Sequence, residues 1–310
     1  MDRIDKLSQD YNMQSNVKRA CFRWQACLLV LYLFMIGCAP TTQEVINTRH
    51  RPTPIKTVVS LSPGATELIP YLNLQLVGRT QADNVGPAAN APVVITTKPE
   101  YESIEQIRPD LVIYDASLFN ANDIQKIDAM NIPTFAIMGN TVSAYIDCLY
   151  KLGSLVGAET TINEQVQYFR NAIANAAADP ISEPHSVALL MTVPNGNPMI
   201  ACTGSFYADI MRQAGGIPVG PGGTNFQVIN PESLISLNPD AIAVTIDETD
   251  KKGTEVTSFV KDSRFSGLKA VKEGHVFGVE ANYILRRGIK VSDAIKSIHS
   301  ALVQVLVRNL

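Results

Sequence analysis

Apolar residues across positions 160–178, TTINEQVQYFRNAIANAAA, keep helical spacing: Ile162, Val166, Phe169 and Ile173 follow one another at steps of four, three and four. Thr161, with Glu164 three residues on, reads as a capping box and predicts the helix start. The chain on either side alternates between short β-rich runs and amphipathic stretches. Before this helix, residues 56–61, 76–80, 93–95, 111–114 and 133–137 read as strands, and 123–130 and 143–157 as helices. After it, residues 186–192 and 199–202 read as strands, 206–214 as a helix, and 265–279 as a small helix, a turn at Glu273-Gly274 and a strand. Residues 291–307 close the chain as an amphipathic helix. Strands that alternate with helices predict an α/β fold with parallel, doubly wound sheets. At Ser62-Pro63-Gly64 a strand passes through a tight turn into a helix, with Pro near the first helical position. Such a turn aims free backbone N–H groups at the mouth of a parallel sheet, where ligands bind.

The pattern also repeats. Residues 101–113 read YESIEQIRPDLVI and residues 231–243 read PESLISLNPDAIA. In register, Glu102 matches Glu232, Ser103 matches Ser233, Pro109 matches Pro239 and Asp110 matches Asp240. The apolar frame is kept: Ile104 with Leu234, Ile107 with Leu237, Val112 with Ile242. Each copy predicts a short helix, a Pro-Asp turn and a buried strand. The helix over 160–178 therefore lies between two versions of one unit.

Composition narrows the class. With 310 residues, 46% hydrophobic and 18% charged, the chain has globular composition and room for two domains. A net charge of −3 with no basic stripe argues against a nucleic-acid partner. His50, His185, His275 and His299 are scattered without metal-ligand spacing. Neither a G-x-S-x-G elbow, a Walker loop nor a G-x-G-x-x-G fingerprint occurs, so no enzyme is expected and no cofactor is called for.

The first residues read as an address. Lys18, Arg19 and Arg23 precede twelve residues, 26–37, that are apolar but too few to span a bilayer. The run ends in Met35-Ile36-Gly37-Cys38, which resembles a bacterial lipobox. Residues 1–37 are then a lipoprotein signal peptide and Cys38 carries the lipid. Asp2, Asp5 and Asp10 suit such a leader poorly, and Met13 would open a more ordinary one. Without residues 1–37 the chain carries 21 basic and 26 acidic side chains, a net −5. Residues 38–54 have the composition of a flexible tether. The expected organisation continues with an N-terminal lobe over 55–142, linking helices over 143–180 and a C-terminal lobe over 181–310. Cys148 and Cys202 remain, on different sides of the repeat; a disulfide is compatible with that placement, and two buried free thiols are favoured.

VVSLSPGATELIPYL, ESIEQIRPDLVI, GSFYADIMRQAGG, ESLISLNPDAIAV and RFSGLKAVKEGHVFGV, in that order, resemble the substrate-binding proteins of ABC importers for cobalamin and ferric siderophores. The similarity covers residues 55–302. It implies the class III periplasmic binding fold, two α/β lobes joined by a single long helix with the ligand between them. It also implies a monomer, anchored outside the cytoplasmic membrane, that delivers a metal chelate to an ABC permease dimer with its ATPase. By position, the resemblance lines the cleft with Ser62, Pro63, Gly64, Arg79, Tyr114, Asp115, Ser205, Phe206, Tyr207, Phe226, Tyr283 and Arg286. Tyr and Phe would pack on a flat macrocycle; Arg79 and Arg286 would pair with an acidic chelate. Glu102 and Glu232 take the place of the acidic residues that dock each lobe on permease arginines. One departure stands out. Cobalamin binders carry Trp and Tyr at several cleft positions, whereas the only Trp here is Trp24. Asp115 and Ala82 stand where two such aromatics are expected, and Phe226 keeps one. An orphan lipoprotein that uses the same fold for sensing or scaffolding is the competing reading.

Overall fold

The computed structural model describes residues 46–47, 54–83, 86–96, 98–179, 181, 185–194, 196–250 and 252–306. The expected signal peptide, Cys38, most of the expected tether and the alternative start at Met13 lie outside the described residues. The described residues between 46 and 306 form one compact unit. Its elements in chain order are β1 (Ile46–Asn47), β2 (Thr57–Ser60), α1 (Pro63–Leu68), β3 (Gln75–Thr80), β4 (Val93–Ile95), α2 (Tyr101–Ile107), β5 (Leu111–Asp115), α3 (Ala121–Ala129), β6 (Thr134–Ile137), α4 (Val142–Val156) and α5 (Glu159–Ala178). There follow β7 (Ser186–Met191), β8 (Met199–Ala201), α6 (Phe206–Gln213), β9 (Ile217–Pro218), β10 (Phe226–Val228), α7 (Pro231–Leu237), β11 (Ala241–Ile246), α8 (Thr254–Lys261), α9 (Lys269–Lys272), β12 (Val276–Glu280), α10 (Ala281–Ile284) and α11 (Val291–Leu306).

Two six-stranded sheets result. The first runs β1-β6-β5-β2-β3-β4; it is parallel except for β1, which pairs antiparallel with β6 and so draws part of the expected tether onto a sheet edge. The second runs β10-β8-β7-β11-β12, with β9 beside the start of β7. Its β7, β11 and β12 are parallel, while β8 and β10 are antiparallel at the edge.

Alternation along the buried strands distributes their side chains between cores. Val58, Leu111, Ile113, Phe135 and Ile137 of the first sheet join one cluster with Val187, Leu189, Ala241, Ala243, Phe277 and Val279 of the second. The opposite faces form separate clusters: Val59, Val112 and Tyr114 on the N-terminal lobe, Leu190, Ile242 and Val244 on the C-terminal lobe. The shared core is filled by α4, α5, α6 and α11, which pack on one another. Tyr145 of α4 stands edge-on to Phe169 of α5 (5.9 Å between centroids) and to Phe206 of α6 (5.6 Å). One apolar cluster runs across both lobes, so moving one against the other requires this core to repack.

Helix α5 has 20 residues, about 30 Å of rigid rod. Its buried stripe is Ile162, Val166, Phe169, Ala172 and Ala176, while Ile173 is partly buried and packs against the edge of the same core. The expected capping box is not formed. The helix begins two residues before Thr161, with Ala158 at the N-cap and no side-chain cap bond. Gly157, at φ 75°, ends α4 in the left-handed region, so the chain turns within two residues and places Thr161 and Glu164 inside the helix.

The repeat is visible in detail. Helices α2 and α7 match residue for residue in the register read from the sequence, and both end on a left-handed residue before Pro, Arg108 (φ 50°) and Asn238 (φ 41°). Asp110 then accepts from the backbone N–H groups of Lys56 and Thr57 and from the Thr57 hydroxyl, and its own N–H donates to that hydroxyl. Asp240 does the same with Ser186, accepting from its N–H and its hydroxyl and donating its own N–H back. Each Pro-Asp turn thereby staples the start of one strand, β2 or β7, beside the strand that follows the turn. The missed elements, β9, β10, α8 and α10, are short or lie in stretches without apolar period.

Candidate functional site

The C-terminal ends of β2, β3 and β5 meet the segment that follows β12, and the two lobes touch there. Gly64, at the start of α1, lies against the backbone of Arg286 and Arg287; a Cβ there would overlap their carbonyl oxygens. Gly288 packs on Gly64 and on the Glu67 carboxylate in the same way. Only glycine permits so close an approach of two backbones.

Arg287 follows in the left-handed region (φ 47°) and is 2% exposed. Its guanidinium lies over the Phe206 ring, 4.5 Å from the centroid, and faces Asp115 at the end of β5. Nη1 donates to Asp115 Oδ1 at 3.5 Å, and Nε stands 3.5 Å from Oδ2 without a hydrogen bond. Asp115 Oδ1 also accepts from the N–H and hydroxyl of Ser117, and the Asp115 N–H donates to Ser62 Oγ.

Beside this pair stands a second network. Arg286 Nη1 is 3.7 Å from both Glu67 Oε1 and Asp83 Oδ1, and its Nε donates to Asn282 Oδ1. Asn282 donates in turn to Glu248. Asp83 Oδ2 accepts from the hydroxyls of Thr66 and Thr80. Burial pushes the Glu67 carboxyl above the ordinary range, against the pull of Arg286 and Lys290.

The remaining expected residues fall into distinct environments. Arg79 is turned into its own lobe: Nε, Nη1 and Nη2 donate to the carbonyls of Ala91, Thr80 and Ala89. Ser205 caps α6, accepting from the Ala208 N–H. Phe206 belongs to the shared core. Tyr114 is buried on the outer face of the first sheet, edge-on to Phe119, and burial pushes its hydroxyl up to about 12. Tyr207 and Phe226 form a tilted ring pair 4.8 Å apart, with Phe226 partly exposed on the edge strand β10. Tyr283 is partly exposed with the Lys290 ammonium over its ring, and burial raises its hydroxyl. Pro63 joins Leu61, Thr80, Ile95, Lys98, Leu118 and Phe119 around a hollow of about 230 Å³ at the ends of β3, β4 and β5. The structure thus brings Ser62, Gly64, Asp115, Phe206 and Arg286 to one junction, and keeps Arg79 and Tyr114 apart from it.

Sequence reasoning passed over Arg287, Glu67, Asp83, Leu118 and Phe119. It also passed over Asp209 of α6, whose buried carboxylate accepts from the Val142 N–H at the start of α4 and pairs with Arg212 at 2.7 Å. The adjacent Arg286-Arg287 pair was the one available signal, since two neighbouring arginines in a loop invite the question of which acids they meet.

Glu102 and Glu232 stand exposed in the first turns of α2 and α7. Neither forms an ion pair among the described residues.

The sequence profile described as "Periplasmic binding protein" matches residues 58–283. A Bacillus subtilis (strain 168) protein named as an uncharacterized ABC transporter substrate-binding lipoprotein, YvrC, is 23% identical over 280 residues, 87% of this chain and 86% of that one. The Fe(3+)-citrate-binding protein YfmC of the same organism is 22% identical over 200 residues, 64% of this chain and 62% of that one. Among solved structures, the periplasmic vitamin B12 binding protein BtuF of Vibrio cholerae superposes with a TM-score of 0.69 at 16% identity, covering 82% of this chain and 99% of that one.

Proposed function

The chain belongs to the periplasmic binding protein family, and on that premise we propose that it is the lipid-anchored substrate-binding protein of an ABC importer. It captures a metal chelate, a corrinoid or a ferric siderophore, in the cleft between its lobes and passes it to a permease. The family match over 58–283 carries the reading, because it takes in most of both six-stranded sheets and the long helix between them. The names of the relatives support the substrate class: one binds ferric citrate and another vitamin B12.

Docking falls to Glu102 and Glu232. They occupy matching positions in the repeat and are exposed and unpaired among the described residues, which suits one charge per subunit of a two-fold permease. Cys38 carries the lipid and keeps the body on the outer side of the membrane. Closure on the ligand is a few degrees, because the lobes share one core around α5.

The test combines binding and transport. Purified protein should bind cyanocobalamin or a ferric chelate, and small-angle scattering should show little compaction on binding. Reversing both Glu102 and Glu232 to Lys should abolish uptake and leave affinity intact; loss of affinity would defeat the docking assignment. Cys38→Ser should release the protein from the membrane fraction.

A further inference from the structure

We infer that the cleft selects neutral or cationic metal chelates and discriminates against polyanionic ones; this rests on the binding-protein reading above. A polyanion leaves water only where cations with no other partner receive it, since desolvation of charge is costly. The arginines available to this cleft are already engaged. Arg79 places all three guanidinium nitrogens on carbonyls of its own lobe. Arg286 has the Glu67 and Asp83 carboxylates at 3.7 Å, so its charge is already answered. Arg287 is buried against Asp115 and Phe206. Lys290 faces Glu67 and the Tyr283 ring.

What faces the space is of another kind. The hollow in the N-terminal lobe offers Leu118, 52% exposed, with Phe119 and Ile95, among the polar groups of Thr80, Gln81 and Thr96. One ammonium, Lys98, and one carboxylate, Asp123, share its rim. In the C-terminal lobe Phe226, paired with the buried Tyr207 ring, is a partly exposed aromatic on the edge strand. Glu248, which holds Asn282 and through it Arg286, adds a further negative charge to that network. An apolar surface with neutral donors and acceptors suits a chelate whose ligand charge is cancelled by its metal, as in a ferric trihydroxamate or a corrinoid. A tricatecholate or citrate complex keeps excess negative charge and meets three arginines already engaged, with the Lys98 ammonium offset by the Asp123 carboxylate on the same rim.

The experiment is a calorimetric panel on the purified protein: a neutral and a cationic ferric trihydroxamate, cyanocobalamin, a ferric tricatecholate and ferric citrate, each at low and high salt. At least one neutral or cationic chelate should bind about tenfold or more tighter than both anionic ones. Added salt should narrow the gap by screening the repulsion. Equal or tighter binding of either anionic chelate, or anion binding that weakens as salt is added, overturns the inference while leaving the binding-protein reading in place. Failure of every chelate to bind folded protein overturns that reading and the inference together. Asp83→Asn and Glu67→Gln should each raise affinity for the anionic chelates by unmatching Arg286; a folded variant with unchanged anion affinity also counts against the inference.

Discussion

Asp115 and Arg287, 172 residues apart in the sequence, form a buried ion pair where β5 meets the segment after β12. One belongs to the N-terminal lobe and the other to the segment leaving the last strand of the C-terminal lobe. The pair therefore ties the two lobes together, and it gives Asp115 a charged partner from the C-terminal half of the chain.

Removing one member strands the other in a site with almost no solvent. Arg287→Met is expected to cost about 3 kcal/mol in denaturant unfolding, and Asp115→Leu a similar amount. The double variant should lose clearly less than the sum, because neither charge is then left alone. Additive losses would mean that the two side chains do not act as a pair.

Gly64 meets the carbonyl oxygens of Arg286 and Arg287 with no room for a Cβ. Gly64→Ala should destabilise by about 3 kcal/mol, since backbone cannot yield as a flexible side chain does. By contrast Gly222, with nothing near its would-be Cβ, should accept Ala with little change. Thermal unfolding of the two variants side by side is the check.

Acid should loosen the Pro-Asp staples. Burial draws the Asp240 carboxyl upward, but hydrogen bonds from Lys269 and Ser186 outweigh it and hold the group at about 2, below the ordinary 3.8. Asp110 is also held low: burial raises it, and bonds from Thr57 and Lys56 prevail. A depressed carboxyl contributes stability above its unfolded value and loses it as pH falls through the folded one. Stability should therefore decline between about pH 4 and pH 2. Asp240→Asn should remove part of that slope and cost about 1 kcal/mol at neutral pH, the Lys269 pair being partly in solvent.

Tyr145 is wholly enclosed between Phe169 and Phe206, its hydroxyl has no hydrogen-bond partner among the described residues, and burial holds that group protonated well above its usual value. Tyr145→Phe keeps the ring and removes the unsatisfied oxygen. It should leave stability unchanged or raise it by about 1 kcal/mol. A marked loss would show that the hydroxyl is engaged.

Cys148 and Cys202 are both buried and free, and burial pushes the Cys148 thiol up to about 11. Native protein at pH 8 should label very slowly at Cys148 with a thiolate-selective reagent, and at both positions once unfolded. Mass spectrometry after partial labelling gives the answer.

The halves of the fold differ in legibility for a physical reason. Residues 101–113 and 231–243 encode a helix, a turn and a buried strand within a short span, so side-chain spacing alone declares them. The stripe of α5 is declared in the same way. Its start was misplaced because Thr161 and Glu164 have the residue types of a cap, while Gly157 already turns the chain two residues before the helix begins. At the cleft, Arg79 and Arg286 look equivalent in sequence; one is bound by its own loop and the other stands between two carboxylates.

The sequence by itself determined the two-lobed α/β architecture, the joining helix and the paired glutamates, because each follows from local periodicity or from the repeat. Only the tertiary structure decided that the lobes share one core and that Asp115 faces Arg287. It alone assigned each cleft arginine its partner. Those contacts join residues far apart in the chain, and a charge that reads the same in any sequence takes its meaning from what folding brings beside it.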